Sequence, residues 1–397
     1  MSFFKKIQLL PADPILSLPL LFAADERSNK VNLGVGAYRN EKGQPVVLAA
    51  VREAEEWIFS KKLHKEYLPI EGHPLYLKES TKLIYGADIS LQRVAALQTV
   101  GGLSALRLIA DFFVHEGYKD IYISDPSWPN HEPTFYKAGM SVHTYPYYNP
   151  QTHTIDFESM CGAIKQMPKR SVVLLQACCH NPTGLDLSKE QWKILSELIK
   201  SKKIIPFFDL AYQGFGASLE EDAWPIRYFL SQNHELFTAS SYSKNLGLYG
   251  ERVGVLSWYV ESEMISKGIL SHVKSIVRGM YSNPPMHGAL IVATILESPI
   301  LKKIWIDELR EMQKRIEEMR IQLMLLLNEK NIHQNFNFMQ LQKGMFSLSG
   351  LDSSQVYKLQ KEYGIYMLPN GRISIPGLTK TNIEYVAQSI ATVVNQI

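Results

Sequence analysis

The sequence predicts an α/β fold built on a mostly parallel sheet between helices, and three observations carry that prediction. From about residue 95 to 260, short β-branched or apolar runs alternate with amphipathic stretches. The runs end in polar or glycine-rich turns. No repeat, low-complexity segment or Gly/Ser linker interrupts the alternation. Strands are expected over Asp120–Ser124, Ser171–Gln176, Ile204–Phe208, Leu236–Ala239 and Val253–Trp258, and helices over Leu103–Val114 and Lys189–Lys200. A charged amphipathic pattern from Pro299 to about Asn328 predicts one long helix, followed by strand-like pieces around Phe346 and Ile373. At 397 residues the chain exceeds what one core supports. We therefore expect an N-terminal arm with part of a small domain over 1–40, a large domain over 41–300, and a smaller α+β domain over 301–397. The arm, rich in Pro and Leu, either folds back on the small domain or reaches a second subunit; periodicity does not separate the two.

Composition narrows the function. A hydrophobic share of 46% with 20% charged residues suits a globular enzyme, and 42 basic against 39 acidic residues leave a charge of +3, too slight for a nucleic-acid footprint. The cysteines, Cys161, Cys178 and Cys179, offer neither a disulfide framework nor zinc-ligand spacing, so a reducing compartment and no metal are expected. The opening Met1-Ser2-Phe3-Phe4-Lys5-Lys6 is followed by no apolar run of signal or spanning length, so we expect a cytoplasmic protein with no membrane partner.

Open parallel sheets bind ligands beyond the carboxyl ends of their strands, and four polar segments fall there. Lys244, in Ser240-Ser241-Tyr242-Ser243-Lys244-Asn245, is an amine just past a strand, with hydroxyls and Arg252 nearby to suit a phosphate. Asp209 ends an apolar strand, where a carboxylate is costly unless a cation or donor meets it; helix capping is the competing reading. Tyr212 follows one short turn later. Cys178-Cys179-His180-Asn181-Pro182-Thr183-Gly184 is turn chemistry that projects the Asn181 amide from the sheet edge. Val100-Gly101-Gly102-Leu103-Ser104 precedes a helix whose free N–H groups suit an anion.

Together with N-L-G-V-G-A-Y-R at Asn32, Y-L-P-I-E-G at Tyr67, P-S-W-P-N-H at Pro126, E-R-V-G at Glu251 and Y-S-N-P-P at Tyr281, these segments make a resemblance that runs essentially end to end. The chain resembles the aspartate and aromatic amino acid aminotransferases of the pyridoxal-phosphate fold-type-I superfamily. The resemblance implies a large domain that binds pyridoxal 5'-phosphate. Lys244 would hold the cofactor covalently and then shuttle a proton. Asp209, backed by His131, would face the pyridinium nitrogen, while Asn181 and Tyr212 would face the phenolic oxygen and Trp128 would stack on the ring. Gly102, Leu103, Ser241, Ser243, Arg252 and Tyr67 of a neighbouring subunit would hold the phosphate. Leu103 departs from the pattern, because a hydroxyl residue commonly follows the Gly-Gly pair; one neutral hydrogen bond lost there costs roughly 0.5–1.5 kcal/mol.

For the substrate, the resemblance implies Arg372 on the α-carboxylate and, from the partner of a homodimer with shared sites, Arg278 on a distal carboxylate. Asn283 would lie near Arg278, and Gly36, Trp128 and Asn181 would line the same pocket. The implied reaction is amino transfer from L-aspartate to 2-oxoglutarate in ping-pong halves, with an aromatic or broad-specificity aminotransferase as the alternative, since aromatic enzymes of this family keep both arginines. A transcription regulator with an aminotransferase-like half would need a DNA-binding domain ahead of the first motif. A nicotinamide dehydrogenase would need G-x-G-x-x-G, which Gly34-Val35-Gly36-Ala37-Tyr38-Arg39 does not supply. Decarboxylation or racemisation would share the cofactor, and the paired arginines favour transamination of dicarboxylates.

Overall fold

The computed structural model describes residues 2–9, 17–87, 93–330 and 332–396. Its strands are β1 (Val31–Asn32), β2 (Val94–Val100), β3 (Asp120–Asp125), β4 (Ser141–Pro146), β5 (Tyr148–Asn149), β6 (Thr154–Ile155), β7 (Val172–Gln176), β8 (Ile205–Leu210), β9 (Leu236–Ser241), β10 (Val253–Tyr259), β11 (Phe346–Leu348), β12 (Ile365–Tyr366) and β13 (Arg372–Ser374). Seven form the central sheet in the order β2-β10-β9-β8-β7-β3-β4. The pairs β9–β8, β8–β7, β7–β3 and β3–β4 are parallel. β10 alone is reversed, pairing antiparallel with both β9 and β2.

All five expected strands and both expected helices are present, within a few residues. The two sheet strands that the sequence does not predict, β2 and β4, are both edges. Strand β4, Ser-Val-His-Thr-Tyr-Pro, is largely exposed and so has no apolar run to announce it. The inner strands are the opposite case. Along β7, Val172 and Leu174 join the core on one face of the sheet, while Val173 and Leu175 join the core on the other; Phe207 and Phe208 of β8 divide the same way. Side chains alternate across a strand, and helices cover both faces here, so the run is apolar throughout.

The helices obey local rules. Lys189–Lys202 starts with a reciprocal cap between Ser188 and Gln191, and Lys203 closes it in the left-handed conformation. Pro299–Asn328 has Ser298 as its cap and proline in its first turn. It buries Trp305, Leu309, Met312, Ile316, Met319, Leu323 and Leu327, a stripe at helical spacing.

Part of the N-terminal arm, residues 1 and 10–16, lies outside the described residues. From residue 17 onward the arm folds back on the C-terminal segment: β1 pairs in parallel with β12, Arg27 donates to the carbonyls of Gln360 and Lys361, and the Tyr366 hydroxyl donates to Asp25 at 2.7 Å. Strands β11 and β13 form a separate antiparallel pair.

One contact ties the long helix to the loop that bears Lys244: the fully buried Trp305 indole donates to the Asn245 carbonyl at 2.7 Å. Replacing Trp305 with alanine removes a large core side chain and leaves that buried carbonyl unpaired, so it should cost about 3–5 kcal/mol in denaturant unfolding. A loss below about 1 kcal/mol would show that the surrounding core refills the space.

Candidate active site

The sheet brings six chain segments to one edge. Strands β2, β3, β7, β8 and β9 all end there and lead into Gly101, Trp128, Asn181, Tyr212 and Lys244 respectively. Arg252 precedes β10, and only the reversal of that strand delivers it to the same edge. In register, Val253 faces Val100 and Gly254 faces both Thr99 and Ser241.

This packing leaves an anion cradle. Gly101 adopts φ +75°, and a Cβ there would lie 2.4 Å from Arg252 Nη2. A Cβ on Gly254 would lie 2.5 Å from the Gly101 carbonyl carbon, and one on Gly102 would lie 3.1 Å from Ser241 Cβ. The glycines therefore let backbone N–H groups at the start of the helix Gly101–His115, the Ser241 hydroxyl and the Arg252 guanidinium gather around one point. Ser243 is buried on the same loop. An open cavity of about 450 Å³ lies over the cradle, lined by Leu103, Ser104, Asn130, Thr134, Arg252 and Met280. Leu103 itself is exposed.

Next to the cradle runs a buried hydrogen-bonded chain. Asp209 Oδ2 lies 3.1 Å from His131 Nε2, and His131 Nδ1 lies 2.8 Å from Ser127 Oγ. Ser127 Oγ is 3.2 Å from Ser124 Oγ, which is 2.8 Å from His180 Nε2, and His180 Nδ1 is 2.8 Å from Thr183 Oγ1. An ionised carboxylate only accepts, so His131 donates to Asp209 from Nε2. For His180, burial is the main cause that pulls the pKa down to about 3, and its ring stacks on Tyr147 at 3.9 Å. Asp209 is thus not a helix cap; the next helix begins only at Leu219. Trp128 meets the His131 ring edge-on at 5.2 Å.

Two cations lie close to this acid. Lys244 Nζ is 4.9 Å from the Tyr212 ring centre. Burial pulls Lys244 down to about 8, with Asp209 opposing the shift and the positive charges of Arg252 and Arg372 adding to it. Arg372 is buried over the Phe346 ring, its Cζ 4.0 Å from the ring centre. It donates to Asn181 Oδ1 at 3.1 Å and to the Gly34 carbonyl at 2.9 Å, while its Nε has no partner among the described residues. Asn181 Nδ2 in turn donates to the Tyr212 hydroxyl at 3.3 Å, which leaves the phenolic proton free. Burial raises the Tyr212 pKa well above its ordinary value, so it stays a neutral donor. Gly36 must be small, because a Cβ there would lie 2.8 Å from Phe346.

The chain therefore brings together Lys244, Asp209, Tyr212, Asn181, His131, Trp128, Arg372 and Gly36 with the Gly101, Gly102, Ser241 and Arg252 cradle. Tyr67 and Arg278 are apart from them. Tyr67 is 88% exposed, and Arg278, on the surface at the end of the helix Glu263–Met280, bonds to Ser282. The two share a surface, however. Ser282 donates to Asn283 Oδ1 at 3.0 Å, and Asn283 Nδ2 donates to the Leu68 carbonyl at 2.6 Å. Sequence reasoning missed Phe346 as a site residue, and Ser124, Ser127, His180 and Thr183 as a chain. Ser127 and His180 stand inside the motifs that carry the resemblance, but nothing in their spacing says that they meet.

A cofactor that carries a phosphate, a basic ring nitrogen and a carbonyl fits this set: the cradle would take the anion, Asp209 the nitrogen and Lys244 the carbonyl. Known proteins agree with that fit. Residues 28–390 match the family Aminotransferase class I and II. An aspartate aminotransferase of Escherichia coli (strain K12) is 43% identical over 395 residues, covering 98% of this chain and 100% of the relative. An aromatic-amino-acid aminotransferase of Burkholderia pseudomallei, solved covalently bound to pyridoxal phosphate, superposes with a TM-score of 0.96 at 45% identity, covering 99% of this chain and 100% of that one. An aromatic amino acid aminotransferase of Psychrobacter sp. B6, cocrystallised with aspartic acid, gives 0.95 at 40%, with 98% and 99% covered. The chain belongs to the class I and II aminotransferases, and it is accordingly a pyridoxal-phosphate-dependent aminotransferase.

The depressed Lys244 pKa sets a pH dependence for the cofactor-free protein. The folded lysine titrates at about 8 and the ordinary value is 10.5. Between these values the unfolded chain binds more protons, so stability should rise with pH across the window and be lost as pH falls through the lower value. Urea unfolding at about pH 7 and about pH 10 should show this rise, and Lys244→Met should abolish it while stabilising the protein at neutral pH. Equal pH dependence in both proteins would put the ammonium in water.

Proposed function

We propose that this aminotransferase transfers the amino group of L-aspartate to 2-oxoglutarate, acting in the cytoplasm as a homodimer with shared active sites. The observation that carries the reading is the Arg372 guanidinium, buried over Phe346 beside Lys244 with one N–H unpaired and no carboxylate bonded to it among the described residues. A buried, incompletely satisfied guanidinium is a receptor for a substrate carboxylate, which it grips with two parallel hydrogen bonds.

Bound pyridoxal phosphate supplies the electron sink that stabilises negative charge at the substrate's Cα. The residues do the rest. Gly102, Leu103, Ser241, Ser243 and Arg252 hold the phosphate, with Tyr67 contributed by the partner subunit. Asp209 keeps the ring nitrogen protonated, and its hydrogen bond with His131, itself bonded to Ser127, holds the carboxylate in place. Asn181 and Tyr212 donate to the phenolic oxygen, and Trp128 covers one ring face. Lys244 Nζ, whose burial brings its titration down toward neutral pH, takes the Cα proton as the amine and returns it on the other side of the transfer. Arg372 fixes the substrate so that this proton faces Nζ. Tyr67 and Arg278 are exposed and linked through Asn283 and Leu68, which supports their reaching a second copy, where Arg278 binds the distal carboxylate. The domain division at residues 40 and 300 belongs to the same proposal; the seven-stranded sheet falls wholly within 94–259.

The alternative, an aromatic or broad-specificity aminotransferase, is favoured by the aromatic enzymes among the solved relatives. Single-turnover mixing of the cofactor-loaded protein with aspartate and then phenylalanine, following the cofactor's visible band, separates them: conversion by aspartate alone supports the first reading, and comparable rates support the second. Arg278→Ala should lower kcat/KM for aspartate by roughly 100-fold, the worth of about two charge-assisted hydrogen bonds, and that for phenylalanine by less than about tenfold. Equal losses would remove Arg278 from side-chain recognition.

A further inference from the structure

Among the described residues, two clusters gather three metal-ligating side chains, and they differ in access. Cys178, Cys179 and Asp222 are all buried, and the Asp222 carboxylate is already taken by the N–H groups of Gly214, Gly216 and Ala217. His115, Glu116 and His272 are exposed. His115 ends the helix Gly101–His115, Glu116 is the residue beyond it, and His272 lies in the middle of the neighbouring helix Glu263–Met280.

We propose that His115, Glu116 and His272 form a surface site for one divalent transition-metal ion, zinc by the chemistry of its donors, that clamps these two helices together. The geometry is nearly that of a coordination sphere. His115 Nδ1 lies 3.0 Å and His272 Nδ1 lies 2.9 Å from the same oxygen, Glu116 Oε1, and the three donor atoms all fall within 4.8 Å of one another. An ion bound at about 2.0–2.2 Å from each donor requires donor separations of about 3.3–3.5 Å in a tetrahedron, so side-chain rotation suffices. Two imidazoles and a carboxylate are a zinc-type donor set, softer than the all-oxygen sets that magnesium or calcium select.

The site is also partly preorganised. The His272 ring packs edge-on against Phe112 at 6.3 Å, and the His115 and His272 rings meet at 5.5 Å and 82°. A cavity of about 230 Å³ lined by His115, Ser271, His272, Ser275 and Ile276 adjoins the imidazoles and gives water access to the remaining coordination position. Gly101 and His115 are at opposite ends of a helix about 21 Å long, so the ion takes no part in transamination. Its role is mechanical: it joins the helix whose first turn forms the anion cradle to the helix whose last turn carries Arg278.

Zinc titration of the chelator-treated holoenzyme by calorimetry, with the thermal midpoint followed in parallel, tests this on wild type, His272→Ala and Glu116→Gln. We expect one ion per chain in wild type, affinity at least roughly 10–100-fold weaker in both variants, and a zinc-dependent rise in midpoint confined to wild type. Metal-free turnover should be unchanged in the variants, which certifies their folding; His115→Ala replaces either one that fails this check. Cobalt substitution should give a visible d–d band in wild type that His272→Ala loses. Equal zinc affinity and equal midpoint shifts in wild type and variants would overturn the site and move any binding elsewhere, as would the absence of zinc binding to wild type.

Discussion

The contact between Gly254 and Gly101 is the constraint on which the rest of the site depends. Strand β10 runs against its neighbours, and its second residue sits so close to the Gly101 backbone that a methyl group would overlap the carbonyl carbon. Without that approach the start of the helix Gly101–His115 would not lie over β10, and Arg252 would not stand beside the N–H groups of its first turn. The reversal of one strand thus converts five carboxyl ends and one amino end into a single edge.

The second constraint is electrostatic. Lys244, Arg252 and Arg372 stand near one another while Asp209 is the acid facing Lys244. Such a concentration of positive charge disfavours a lysine ammonium and favours anions, which suits a lysine that must be an amine and a pocket that must take a phosphate and carboxylates. The hydrogen-bonded chain from His131 to Thr183 anchors Asp209 at the same edge. Arg372 is held by an aromatic ring, an amide and a carbonyl, partners that orient a guanidinium without cancelling its charge.

The helix Gly101–His115 links two kinds of site. Its amino end offers N–H groups to an anion, and its carboxyl end presents His115 and Glu116 beside His272. Anion binding belongs to an amino terminus and cations to a carboxyl terminus, by the direction of the peptide dipoles. The two ends of one element are therefore suited to opposite charges, and the sheet beneath fixes the distance between them.

Much of the fold was legible because its inner strands and long helices write their burial into the sequence. The apolar run Val172–Gln176 and the 3–4 spacing from Trp305 to Leu327 announce what they pack against. The edge strands β2 and β4 were not legible, because β4 is largely exposed and β2, Val-Ala-Ala-Leu-Gln-Thr-Val, mixes polar and small residues into its run. In the site, the types of Lys244, Asp209, Asn181, Arg252 and Arg372, and the places of Lys244 and Asn181 just beyond strands, followed from sequence and resemblance. The reversal of β10, the support of Arg372 by Phe346 and the chain through Ser127 and His180 did not. By itself the sequence determined which chemical groups this protein owns and the family it resembles, since side-chain type and local periodicity are properties of short segments. Only the tertiary structure decided which groups meet and in what protonation state, because strand direction, burial and hydrogen-bond direction depend on residues far apart in the chain.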